Sequence, residues 1–224
     1  MNLLYLLGTI HNDIKGPERL RKFLDFTKPM SIAIEIDEER AKRIVECYNE
    51  SIRELKEYEL ILKYLKGKEA FHKISEYIYM KGYEISVSEH FARNNPKTSL
   101  LYLDDFTEEQ VSELIGEIFE DKVEYSIEDI LKLTSAECQK DVDASYDDNS
   151  IKKFRKQKPE IFERLMIERD TRIELRIREV FQSANQDLVY IGGNFHFFAG
   201  YHNLYERLRD LDPIRVKLRD VDQY

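Results

Sequence analysis

Two stretches at opposite ends of the 224-residue chain share one layout. Near the start, Leu3-Leu4-Tyr5-Leu6-Leu7 runs into Gly8-Thr9-Ile10-His11. Near the end, Leu188-Val189-Tyr190-Ile191 runs into Gly192-Gly193-Asn194-Phe195-His196. Each is an apolar run closed by Gly-x-x-His. Such a run reads as a strand buried on both faces, the kind found in parallel sheets covered by helices. Glycine at the strand end lets the backbone turn sharply or approach something closely. One such motif carries little weight, but two point to a shared purpose. Strand ends of a mostly parallel sheet lie along one edge, where ligands bind, so distant histidines can meet there.

The rest of the chain extends this pattern. A short helix from Pro17 to about Phe26 buries Leu20, Phe23 and Leu24, and Ser31–Asp37 reads as the second strand. Ile32, Ile34 and Ile36 take one face of that strand, and Ala33, Glu35 and Asp37 take the other. A long helical pattern covers residues 38–66, with a cap or break expected at Gly67, and another covers 68–80. Strands are expected at Tyr83–Val87, Leu100–Leu103 and Ile214–Leu218. Helices are expected from Thr107 to Phe119, from Ser126 to Lys140 and from Pro159 to Ala184. The fold class is therefore α/β: a single domain over 1–224, with a mixed, mostly parallel central sheet flanked by helices and a helical insertion over about 107–160. The acidic, turn-rich stretch 141–150 reads as a solvated loop. An EF-hand reading fails there, because Tyr146 and Lys152 stand where glycine and glutamate are required.

Net charge of −9 with both signs interspersed argues against nucleic acid and against an anionic membrane surface as partners. No run approaches the roughly 18 apolar residues of a membrane span, and residues 1–10 lack the basic start of a signal peptide. Cys47 and Cys138 have no partner at metal or redox spacing, which suits a reducing cytoplasm. The expected substrate is a peptide or a small molecule, and formation of a homo-oligomer is left open.

Three residues stand out as candidates for chemistry. His11 and His196 are metal-ligand or general-base candidates; the competing reading for each is a hydrogen bond to a core carbonyl. Glu35, between two isoleucines, must be paired, neutral or metal-bound. With the imidazoles it makes a His-His-Glu set able to hold a divalent ion and leave a position for water; alternatively it forms a salt bridge to an arginine such as Arg40. Asp37 reads as a helix cap. Arg169 interrupts the apolar stripe Phe162, Met166, Ile173, Ile177 and Val180, with Asp170 at the stripe's edge. It is a partner for Glu35 or Asp37, or a substrate clamp. His202, expected on a helix, and His90 are weaker candidates, and His72 reads as solvent-facing. No nucleophile elbow, P-loop or dinucleotide glycine motif occurs.

In chain order, Gly-Thr-Ile-His11, Ile34-Glu35-Ile36-Asp37-Glu38-Glu39-Arg40, Glu168-Arg169-Asp170 and Ile191-Gly192-Gly193-Asn194-Phe195-His196 resemble the TraB/PrgY/GumN family. That family includes the Tiki proteases and is distantly similar to the erythromycin esterase and ChaN-like proteins. Residues 66–160 match none of its motifs. Phe197, Phe198, Ala199, Gly200 and Tyr201 replace the small residue and Gly-Ile that usually follow the second motif, and Ile173 and Glu174 stand where the helix motif usually has Met. The resemblance implies a metal-dependent hydrolase, in the Tiki branch a peptidase. His11, Glu35 and His196 would bind manganese, cobalt or zinc, and Arg40, Arg169 and Asp170 would be supporting charges. The esterase branch implies metal-independent hydrolysis, with His11 as base and Glu35 holding it. The ChaN branch implies a ligand-binding or regulatory protein without chemistry.

Overall fold

The computed structural model describes residues 2–104, 126–157, 167–184, 186–200 and 202–223. Five strands form one sheet: β1 (Leu4–Thr9), β2 (Ser31–Ile34), β3 (Ser99–Tyr102), β4 (Leu188–Gly193) and β5 (Ile214–Lys217). Their order is β3-β2-β4-β1-β5, and every pairing is parallel. The two Gly-x-x-His strands are neighbours in exact-length register, Leu4 opposite Leu188 and Thr9 opposite Gly193. On the other side of β4, Ile34 of β2 lies opposite Ile191. The three strands that carry His11, Glu35 and His196 thus occupy the middle of the sheet and end along one edge.

Helices cover both faces. On one, Leu20, Phe23 and Leu24 of α1 (Gly16–Thr27) and Phe91 of α4 (Tyr83–Asn94) pack on Leu7, Ile32, Ile34, Val189 and Ile191. On the other, Ile173 and Ile177 of α8 (Arg169–Ala184) pack with Leu4, Leu6, Ala33, Tyr190 and Phe197. The chain leaves β1 toward the first face and leaves β4, through Phe197 and Phe198, toward the second. Divergence of this kind opens a crevice at the strand ends. Between β2 and β3 lie α2 (Glu38–Glu57), α3 (Glu59–Met80) and α4. The expected break at Gly67 is a kink, with φ +85° inside α3, and the single expected helix over 38–66 is divided at Tyr58.

The strand expected at Tyr83–Val87 is instead the start of α4. Tyr83, Ile85 and Val87 do alternate, but the buried set is Tyr83, Glu84, Ile85, Ser88 and Phe91, whose spacing belongs to a helix packed on α1 and the sheet. The loop expected over 141–150 is also corrected. It is the end of α6 (Ala136–Ser145) and the start of α7 (Asp148–Gln157). Val142 and Tyr146 are buried there, and Asp143, Asp148 and Asp147 pair with Arg19, Lys217 and Arg219 while staying partly open to water. The Ser126 start is a capping box closed by Asp129, opening α5 (Ile127–Leu133). The expected helix over 107–119, and Phe162 and Met166 of the apolar stripe, lie outside the described residues. Ile173 and Ile177 of that stripe are fully buried. No helix among the described residues is long and apolar enough to cross a membrane.

Candidate active site

The edge where β1, β4 and β2 end carries two separate groups of side chains. The first is built around Glu35. The residue follows β2, and its own N–H still donates to Ile191 O. Its carboxylate sits over the glycines that end β4. Oε2 accepts from Gly193 N at 2.8 Å, and a Cβ on Gly192 would stand 2.5 Å from the same oxygen. Glycine is therefore required at 192 so that this carboxylate can lie against the strand. Oε1 meets Arg169 Nη1 at 2.6 Å and His196 Nε2 at 2.9 Å.

His196 follows β4 in a single 3-10 turn, Asn194–His196. Its other nitrogen, Nδ1, lies 2.5 Å from Oδ1 of fully buried Asp170. With a carboxylate at each nitrogen the ring donates from both as an imidazolium, the form these charges favour. Burial alone would lower its pKa, but the charges of Glu35 and Asp170 raise it to about 10. Burial alone would raise Glu35; Arg169, the His196 imidazolium and the Gly193 N–H instead hold it well below the usual carboxylate range. Burial pushes Asp170 up, against the opposing pull of His196. Arg169 spans Glu35 and Asp104, with Nη2 2.6 Å from Asp104 Oδ2, and Arg40 Nη1 approaches that oxygen at 3.5 Å. Asp37 caps α2 by accepting from Arg40 N, as its position suggests. Tyr190 lies fully buried beneath, close enough to feel the charges of Glu35, Arg169 and Asp170.

The second group is His11 with Glu84. His11 lies just past β1, and its side chain is 83% exposed. Its Nδ1 is 2.8 Å from Oε1 of Glu84, a carboxylate only 8% exposed in the first turn of α4. Gly82 makes this placement available. It sits at φ +63° before the helix, and a Cβ there would strike Ile44 Cγ2 at 2.4 Å. The charge and hydrogen bond of Glu84 raise the His11 pKa; Glu35 adds to the rise and Arg169 opposes it. His11 is thus near enough to sense the first group without touching it.

The expected set of three is therefore brought to one edge and divided. Glu35 and His196 are in contact, and His11 faces Glu84. Arg169 contacts Glu35, one of the two alternative partners expected for it, and reaches Asp104 as well. The donor set as arranged does not fit a divalent ion. Both oxygens of Glu35 and both nitrogens of His196 are committed, the latter carry protons, and the Arg169 guanidinium lies where a cation would have to approach. No group of three His, Cys, Asp or Glu side chains among the described residues is spaced to ligate a metal. His202 is not on a helix: it lies at φ +50° ahead of α9 (Leu204–Arg207). His72 pairs with Glu76 on the surface, and His90 sits exposed on α4 beside Asn94. Asp104 and Glu84 escaped the sequence reading. Asp104 follows an apolar run as Glu35 does, so the strand-end logic applied to it equally; Glu84 gave no signal inside a stretch that alternates like a strand. No protein-family model, curated protein or solved structure matches this chain.

Proposed function

We propose that the protein is a metal-independent hydrolase in which His11 is the general base and Glu84 is the residue that orients it. One observation carries the reading. His11 has one ring nitrogen held by a buried carboxylate while the imidazole is otherwise open to solvent. That is the arrangement of a base whose tautomer and direction are set from behind. With Nδ1–H donating to Glu84, Nε2 holds the lone pair. It removes a proton from water as the oxygen attacks an acyl carbon, and the imidazolium then returns that proton to the leaving group. Glu84 stabilises the imidazolium in between. Glu35 is unsuited to the same task, because its charged form is strongly favoured by Arg169 and His196. Its role is to fix the end of β4.

The test is hydrolysis of a panel of carboxylic esters and peptides by the wild type and by His11→Ala. The reading expects loss of about 100-fold or more, the usual contribution of a positioned base. Circular dichroism should show the fold retained, with a lower melting temperature because Glu84 loses its partner. Turnover that survives His11→Ala would overturn the assignment. Absence of turnover on the whole panel would leave a ligand-binding protein as the better account.

A further inference from the structure

The helices between β2 and β3 carry one segment whose amphipathic sense is reversed. Residues 59–66 open α3 and lie between the break at Tyr58 and the kink at Gly67. Leu60, Ile61, Tyr64 and Leu65 recur at the three- and four-residue spacing of one helix face. All four are exposed, Leu60 by 81% and Tyr64 by 89%. The half-buried side is the polar one. Glu59 and Lys63 form an ion pair there beside Leu62, and Lys63 Nζ lies 4.6 Å from the centre of the Phe71 ring. A helix on the surface of a globular protein ordinarily points its leucines inward and its charges outward. Tyr58 adds a half-exposed ring at one end, so the apolar patch is on the order of 600 Å², a size that marks an interaction site on a monomer.

We propose that this face binds a second copy of the chain, the two 59–66 helices packing antiparallel about a twofold axis between Leu62 and Lys63. The sequence is complementary to itself about that point. Leu60 of one copy meets Leu65 of the other, and Ile61 meets Tyr64. Beyond the helix ends the same axis brings Glu57 toward Lys68 and Lys56 toward Glu69, all exposed, so the charges that rim the patch are opposite in sign at both places. The two breaks are paired as well. Tyr58 of one copy comes opposite Gly67 of the other, where a Cβ would meet nothing within 4 Å and an aromatic ring has room. A twofold interface uses the same patch on both copies, so it needs this self-complementarity. Parallel packing would instead set Glu57 against Glu57 and Lys68 against Lys68. One side of a stable interface is about 800 Å²; the apolar patch supplies most of that and the charged rim completes it.

Sedimentation equilibrium of the whole chain at low ionic strength, over about 1–500 μM, should show a monomer–dimer equilibrium. Tyr64→Glu and Leu60→Glu, both at exposed positions, should each weaken the dimer about tenfold or more while circular dichroism keeps its helical signal. Glu57→Lys places two like-charge contacts in the dimer by symmetry and should weaken it about threefold or more. Adding Lys68→Glu to Glu57→Lys makes both contacts opposite in sign again and should recover the wild-type affinity, which a parallel arrangement would not allow. A monomer at every concentration would overturn the proposal, whether Leu60 and Tyr64 then prove to be covered by the same chain or by a lipid vesicle. So would a dimer indifferent to both glutamate substitutions, one that Glu57→Lys leaves unweakened, or one that the double swap does not restore.

Discussion

His196 should remain an imidazolium far above the pH at which histidine normally loses its proton, and its environment allows the size of the effect to be worked out. Its two partners, Glu35 at 2.9 Å and Asp170 at 2.5 Å, raise its pKa from 6.5 to about 10. In the unfolded chain the ring titrates near 6.5. A group whose pKa is raised by folding contributes its stability fully below the unfolded value and loses it as pH climbs through the folded one. The window is therefore about pH 6.5 to 10. At about 1.4 kcal/mol for each tenfold change in proton affinity, the contribution is on the order of 5 kcal/mol. That is a large share of a typical domain's stability. Nitrogen-detected NMR of the imidazole is the direct assay: at pH 8 both nitrogens of His196 should be protonated. Urea denaturation across pH 7 to 10 should show stability falling, and His196→Gln should flatten that fall. A neutral His196 at pH 7.5, or equal pH dependence in the two proteins, would refute the reasoning.

Other outcomes follow from the same contacts. Arg169→Met leaves Glu35 and Asp104 as buried carboxylates without their main cation, so denaturation should show a loss of about 3–5 kcal/mol. A loss below about 1 kcal/mol, the worth of a surface pair, would mean the network is solvated. Gly192→Ala drives a methyl to 2.5 Å from Glu35 Oε2 and should cost about 1–3 kcal/mol, seen as a lower melting temperature. Glu84→Gln removes the charge that raises the His11 pKa, so the acidic limb of the pH–rate profile should move to lower pH; an unmoved limb would separate His11 from the rate.

The sheet was legible because its signals are local and apolar. Leu3–Leu7, Ser31–Ile34, Leu188–Ile191 and Ile214–Leu218 each read as strands, and the doubled Gly-x-x-His placed two of them at a common edge. Tyr83–Val87 misled for the opposite reason: five residues alternate by chance, and only Ser88 and Phe91 beyond them disclose the helical period. Residues 141–150 look solvated by composition, yet their acids are neutralised by Arg19 and Arg219, which come from distant parts of the chain. The same limit governs the site. The sequence could mark Glu35 and Arg169 as out of place in apolar surroundings, and each proves to neutralise the other. It could not say which carboxylate would reach His11. That depends on how the α3–α4 turn packs on Ile44, a tertiary contact with no local signature.

The central claim is that His11 works with Glu84 and without a metal, so the decisive measurement is the pH–rate profile of ester and peptide hydrolysis after exhaustive chelation. The account predicts that turnover persists in the chelated protein and rises with pH through an ionisation above 6.5, the direction in which Glu84 moves His11. Activity that vanishes on chelation and returns with manganese, cobalt or zinc would contradict it and restore a metal-dependent site built on His11, Glu35 and His196.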